Sequence, residues 1–188
     1  MRVIRKLRGL QLTKLIAGVI ALTVMIAGLA VAAPTQSGAA FAVDETDACV
    51  REAHATSPGL SNHGVLDCVG RAAAACMMIP GGDTTVGMME CLEGELEYWD
   101  ARLDAAYAGR IGIARAQDAE MLESGSPVVS IEESLRAMQQ AWMSFRDASC
   151  RYEQAQWRGG TGGMPATMAC HLHETARQVL KLEGWWEQ

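Results

Sequence analysis

Six cysteines, Cys49, Cys68, Cys76, Cys91, Cys150 and Cys170, constrain this 188-residue chain more than any other feature. What precedes them decides how they are read. The basic residues Arg2, Arg5, Lys6, Arg8 and Lys14 open the chain, an uncharged apolar run follows from Leu15 to Ala33, and Ala40-Phe41-Ala42 offers a small-x-small exit. This is the order of a secretory signal, so residues 1–42 are expected to be a signal peptide removed after Ala42. The alternative is an uncleaved N-terminal anchor, since a run of this length can just span a bilayer. Either way the cysteines face an oxidising compartment, the periplasm or the exterior, and an even count there reads as three disulfides. Sequence does not choose among the pairings six cysteines allow. The expectation taken forward is the nearest-neighbour set, Cys49–Cys68, Cys76–Cys91 and Cys150–Cys170. The last would close a loop of roughly 20 residues and contribute on the order of 3 kcal/mol.

Charge narrows the partners. All 22 acidic residues follow Ala42, but only 11 of the 16 basic ones do, so that portion carries about eleven net negative charges at neutral pH. Such a surface disfavours nucleic acid and favours either simple solubility or a cationic protein partner.

Hydrophobic spacing points to helices throughout. A short helix is expected around Asp47 to Ala55, and a second, alanine-rich one from His63 to Met78, capped by Asn62 and stopped at Pro80-Gly81-Gly82. Asp83-Thr84-Thr85 supplies caps for a longer helix whose inward stripe is Met88, Leu92, Leu96, Trp99, Leu103 and Tyr107. Glu90, Glu93, Glu95, Glu97, Asp100, Arg102 and Asp104 lie between them and read as a solvated, mostly acidic face. Gly109 and Gly112 weaken the helix, with a kink expected before it reaches Met121-Leu122 and stops at Ser124-Gly125-Ser126-Pro127. Ser130 and Glu133 form a capping box for a helix from Ile131 to about Gln154. A glycine-rich turn, Gly159 to Pro165, precedes a last helix from about Ala166 to Leu182, with Leu172, Ala176, Val179 and Leu180 or Leu182 inward and Gly184 ending it. No useful strand alternation appears. The expected fold is all-α, a small disulfide-bonded bundle of about three main helices plus a short helical N-terminal extension. The expected organisation is residues 1–42 as leader, 43–84 as the cysteine-containing extension and 85–188 as the main helical domain.

The stretch Leu135–Cys150 concentrates the signal. Leu135, Met138, Trp142 and Phe145 form one helical stripe, the Arg146–Asp147 pair follows, and Cys150 closes the run. Together with Gln139, Ala141, Gly159-Gly160-Thr161, Cys170, Thr175, Arg177 and Leu180, and with Cys91, Asp100, Leu103 and Tyr107 upstream, it resembles the LprI-like lysozyme-inhibitor family over roughly residues 91–182. Asp104 stands where that family usually has Asn, and Met138 where it usually has a small residue. The resemblance implies a helical domain, a protein partner and inhibition of a lysozyme-type muramidase.

Each chemistry-bearing group has a bland reading beside the functional one. Trp99 and Trp142 are expected as packing residues. Arg146 is expected to tie helices by bonding a neighbouring carboxylate such as Asp100. Cys170-His171-Leu172-His173 suggests a metal cluster, but residues two apart on a helix diverge, and a disulfide sulfur is neither ligand nor nucleophile. The glycine run lacks the Lys-Ser/Thr of a phosphate-binding loop. No catalytic set is recognisable, so the reading is a non-enzyme without cofactor or metal. The leading function is an exported binding protein that blocks a cationic lysozyme through its acidic helix face or the Arg158–Thr161 turn. The alternative is a non-catalytic structural or interaction module of the cell envelope.

Overall fold

The computed structural model describes residues 42–56, 63–125 and 129–184. All of the expected leader except Ala42 falls outside these residues, as do the Trp185-Trp186 pair, Asn62 and Ser126-Pro127. Six helices follow one another: α1 (Val43–Thr56), α2 (His63–Leu66), α3 (Arg71–Met77), α4 (Thr85–Glu123), α5 (Ile131–Gln156) and α6 (Gly163–Leu182). No strand occurs among the described residues, and no helix there is long and apolar enough to cross a membrane. The fold is all-α, with α4, α5 and α6 as the main bundle and α1–α3 beside them.

Local chemistry sets the helix ends. The Thr84 hydroxyl accepts from Gly87 N–H and starts α4. Ser130 accepts from Glu133 N–H at 3.1 Å, one half of the expected capping box. The rest comes from α4: Asp118 accepts from the Ser130 hydroxyl and from the amides of Ile131 and Glu132, and these bonds lower its pKa. The alanine-rich segment expected as one helix is two, because the chain turns at Asp67–Gly70 and Gly70 takes φ 85°, which ends a right-handed helix. Conversely, α4 runs through Gly109 and Gly112 as one 39-residue helix. Their helical hydrogen bonds continue while the bundle supports the helix on one side.

The disulfides join the nearest neighbours: Cys49–Cys68 ties α1 to the α2–α3 turn, Cys76–Cys91 ties α3 to α4, and Cys150–Cys170 ties α5 to α6. Between these tethers α6 supplies the centre of the core, with Leu172, Ala176, Val179 and Leu180 fully buried against Trp99 and Leu92.

Two expectations about helix faces are overturned. Phe145 is 59% exposed, whereas Leu135, Met138 and Trp142 pack on the core. The inward line of α5 is instead Leu135, Gln139, Trp142, Arg146 and Cys150, three of the five polar or cysteine. Glu95 does not share the solvated face of Glu90, Glu93, Glu97 and Asp104. It is fully buried, accepting from Gly70 N–H at 2.7 Å, Ala73 N–H at 2.8 Å and the Trp99 indole at 3.3 Å. Arg102 also leaves that face, forming a two-bond ion pair with Glu183 at 2.8 and 3.0 Å and lying over the Trp99 ring.

Candidate functional site

Six of the singled-out residues meet where α4, α5 and α6 come together. Arg146 is central. Its Nε donates to Asp147 at 3.1 Å, one of its terminal nitrogens donates to the buried Thr175 hydroxyl at 3.4 Å, and its guanidinium lies 5.0 Å from the centre of the Trp142 ring. The ion-pair partner is therefore the adjacent Asp147, not Asp100 as expected. A side chain leaving α5 toward the seam can reach a carboxylate on its own helix and a hydroxyl on α6 at once. Asp100 still faces this group from α4. Burial raises its carboxyl pKa, Arg146 opposes that rise and Asp104 adds to it. His171 completes the seam, its pKa lowered first by burial and then by Arg146. The seam ties three helices with polar atoms and an aromatic face.

The remaining residues are dispersed. Gln139 is buried and accepts from Gln178 at 2.8 Å, a polar bridge one turn along the α5–α6 contact. Tyr107 lies on α4 beside Arg136. Arg177 faces solvent, bonded to Glu174 at 2.9 Å. His171 and His173 diverge: Asp100, Arg146 and Asp147 act on the former, and Arg177, Glu95 and Glu174 on the latter. No group of His, Cys, Asp or Glu among the described residues could hold a metal ion.

Gly159, Gly160 and Thr161 form the tip of the α5–α6 turn. Arg158 and Gly159 both take positive φ, 49° and 86°, which reverses the chain in two residues. Gly160 N–H donates to the Trp157 carbonyl at 2.8 Å. The Trp157 ring lies against Gly162, where a Cβ would overlap it. The disulfide about two turns below braces the same reversal. The expected glycine-rich turn is thus a packed tip with exposed Trp157, Arg158 and Thr161. Gly162→Ala should displace Trp157 and cost about 1–3 kcal/mol, read as a lower urea midpoint together with a shift in tryptophan fluorescence. An unchanged midpoint would mean the ring is not held there.

Sequence reasoning passed over Glu95, Asp118, Gln178 and Trp157. Glu95 carried a signal: it sits three residues after Leu92 and four before Trp99, inside the apolar stripe rather than across from it.

Fold and seam together define a disulfide-stapled all-α domain whose polar residues fasten helices to one another. The chain belongs to the lysozyme inhibitor LprI family, whose model matches residues 76–182. That match begins at Cys76, on α3, upstream of the Cys91 from which the resemblance is readable. An uncharacterized 17.7 kDa protein in the puhA 5′ region of Rhodobacter capsulatus is 30% identical over 149 residues, covering 78% of this chain and 87% of that protein. An uncharacterized protein of Rhizobium meliloti (strain 1021) is 25% identical over 136 residues, 71% of this chain and 96% of its own length. No solved structure matches.

Proposed function

We propose that this chain is an exported, non-catalytic binding protein that inhibits a lysozyme-type muramidase by occluding its substrate cleft. Membership of the lysozyme inhibitor LprI family over residues 76–182 carries the reading. Two features of the chain support it. The Trp157–Thr161 tip stands at the end of the α5–α6 pair, exposed yet braced by a disulfide and a packed ring, so little ordering entropy opposes its insertion into a cleft. Glu90, Glu93, Glu97 and Asp104 share one exposed face of α4, and no salt bridge engages them among the described residues. That face steers a cationic enzyme toward the bundle. On this reading the protein acts in the periplasm or outside the cell.

Turbidity loss of peptidoglycan under a cationic lysozyme tests the proposal. Purified protein in excess should slow lysis at low salt, and the slowing should fade as salt is added. Converting the four stripe carboxylates to amides should lower the association rate by roughly 10-fold at low salt. Full-speed lysis at every protein concentration would remove the reading.

A further inference from the structure

The exposed Phe145 belongs to a second stripe on α5. Met138, Ala141, Phe145, Ala148, Tyr152 and Ala155 recur at spacings of three, four, three, four and three, the a and d positions of a heptad repeat. Large and small residues alternate strictly along it: Met, Ala, Phe, Ala, Tyr, Ala. Met138 is half-buried at one end, while Phe145 and Tyr152 are 59% and 66% exposed and the three alanines are exposed. Solvent-facing aromatics on a helix that already buries its other face need a reason. The stripe holds no charge, so it does not select the cationic enzyme proposed above.

We propose that this face pairs with the same face of a second copy, α5 packing antiparallel on α5 about a two-fold axis between residues 146 and 147. In that register Phe145 meets the second copy's Ala148, Tyr152 meets its Ala141, and Met138 meets its Ala155. Every large side chain lies over a small one, and the match is its own mirror under the two-fold, as an isologous interface requires. A parallel pairing would set Phe145 on Phe145 and alanine on alanine, with crowding and gaps alternating. Antiparallel helices also oppose their dipoles. The area suits a reversible dimer. The stripe runs roughly 26 Å along α5, and two helices touching over that length bury on the order of 1,000 Å² in total, the lower limit for a specific interface. The pairing neither needs nor implies muramidase inhibition.

Sedimentation velocity of the full protein, as purified from the cell envelope, tests both the dimer and its register. The wild type should show a concentration-dependent monomer–dimer equilibrium. Phe145→Ala should weaken it at least about 100-fold, because two central aromatics are lost per dimer. Ala148→Phe should also weaken it, by setting phenylalanine on phenylalanine. The double variant Phe145→Ala/Ala148→Phe exchanges large for small at both ends of the contact and should restore association to within about 10-fold of wild type. The Ala141→Tyr/Tyr152→Ala exchange is the second pair, should the first lower helix content by circular dichroism. Three results would overturn the proposal: a wild type that stays monomeric to about 1 mM, association indifferent to Phe145→Ala, or an exchanged variant no better than either single.

Discussion

Glu95→Ala should lower the unfolding free energy by about 5 kcal/mol, a large part of what a domain of this size possesses. The side chain is fully buried and accepts from three N–H groups, those of Ala73 and Trp99 in buried bonds and that of Gly70 in a part-buried one. Two of these, Gly70 and Ala73, are free amides at the start of α3, and the third is the indole of fully buried Trp99. Each donor left without an acceptor costs about 1–3 kcal/mol, and the emptied volume adds to that. Glu95→Gln keeps the volume but turns an amide NH₂ toward an N–H, so it should cost roughly 2–3 kcal/mol. Urea titration under non-reducing conditions measures both. Losses under about 1 kcal/mol for the alanine variant would show that the donors find other acceptors. A loss near the full value in Glu95→Gln would instead assign the stabilisation to charge rather than to hydrogen-bond count.

Replacing Cys150 and Cys170 together by alanine should cost about 3 kcal/mol, the entropy released when a loop of this length is opened in the unfolded chain. Cys150 is completely buried, and the bridge spans 20 residues from α5 to α6. The variant should keep its helices, because the seam around Arg146 and the Gln139–Gln178 bridge still join α5 to α6. What it should lose disproportionately is the tip, since the bridge, about two turns below the Trp157–Gly162 contact, is the covalent tie nearest to it. Amide hydrogen exchange should rise in residues 157–163 before it rises elsewhere. Inhibition of lysozyme, if the tip inserts, should fall further than the change in folded fraction. Equal exchange at the tip in both proteins would mean that glycine and tryptophan packing hold it unaided.

Much of the architecture could be read locally. Thr84 and Ser130 were recognisable caps because a hydroxyl before a helical run satisfies a free amide wherever the helix then goes. The stripe of α6 was readable because its inward residues are nearly all aliphatic. On α5 the same method misplaced Phe145, because three of the five inward positions there are Gln139, Arg146 and Cys150. Hydropathy counts a bonded glutamine and a stacked arginine as surface. The seam was half legible: Arg146 was marked as a tie, but its ion-pair partner depended on rotations of α4 and α6 that no single helix specifies.

The chain by itself determined its all-α class, the helix ends set by hydroxyls and glycines, its acidity and the even set of cysteines. These depend on neighbours a few residues apart or on composition alone. Tertiary structure decided that Glu95 lies inside, that Arg146 joins Asp147 and Thr175, and that α5 keeps an aromatic stripe in solvent. Each of those depends on how the helices are rotated against one another, which decides whether a polar atom finds a partner at bonding distance and which face of a helix is covered.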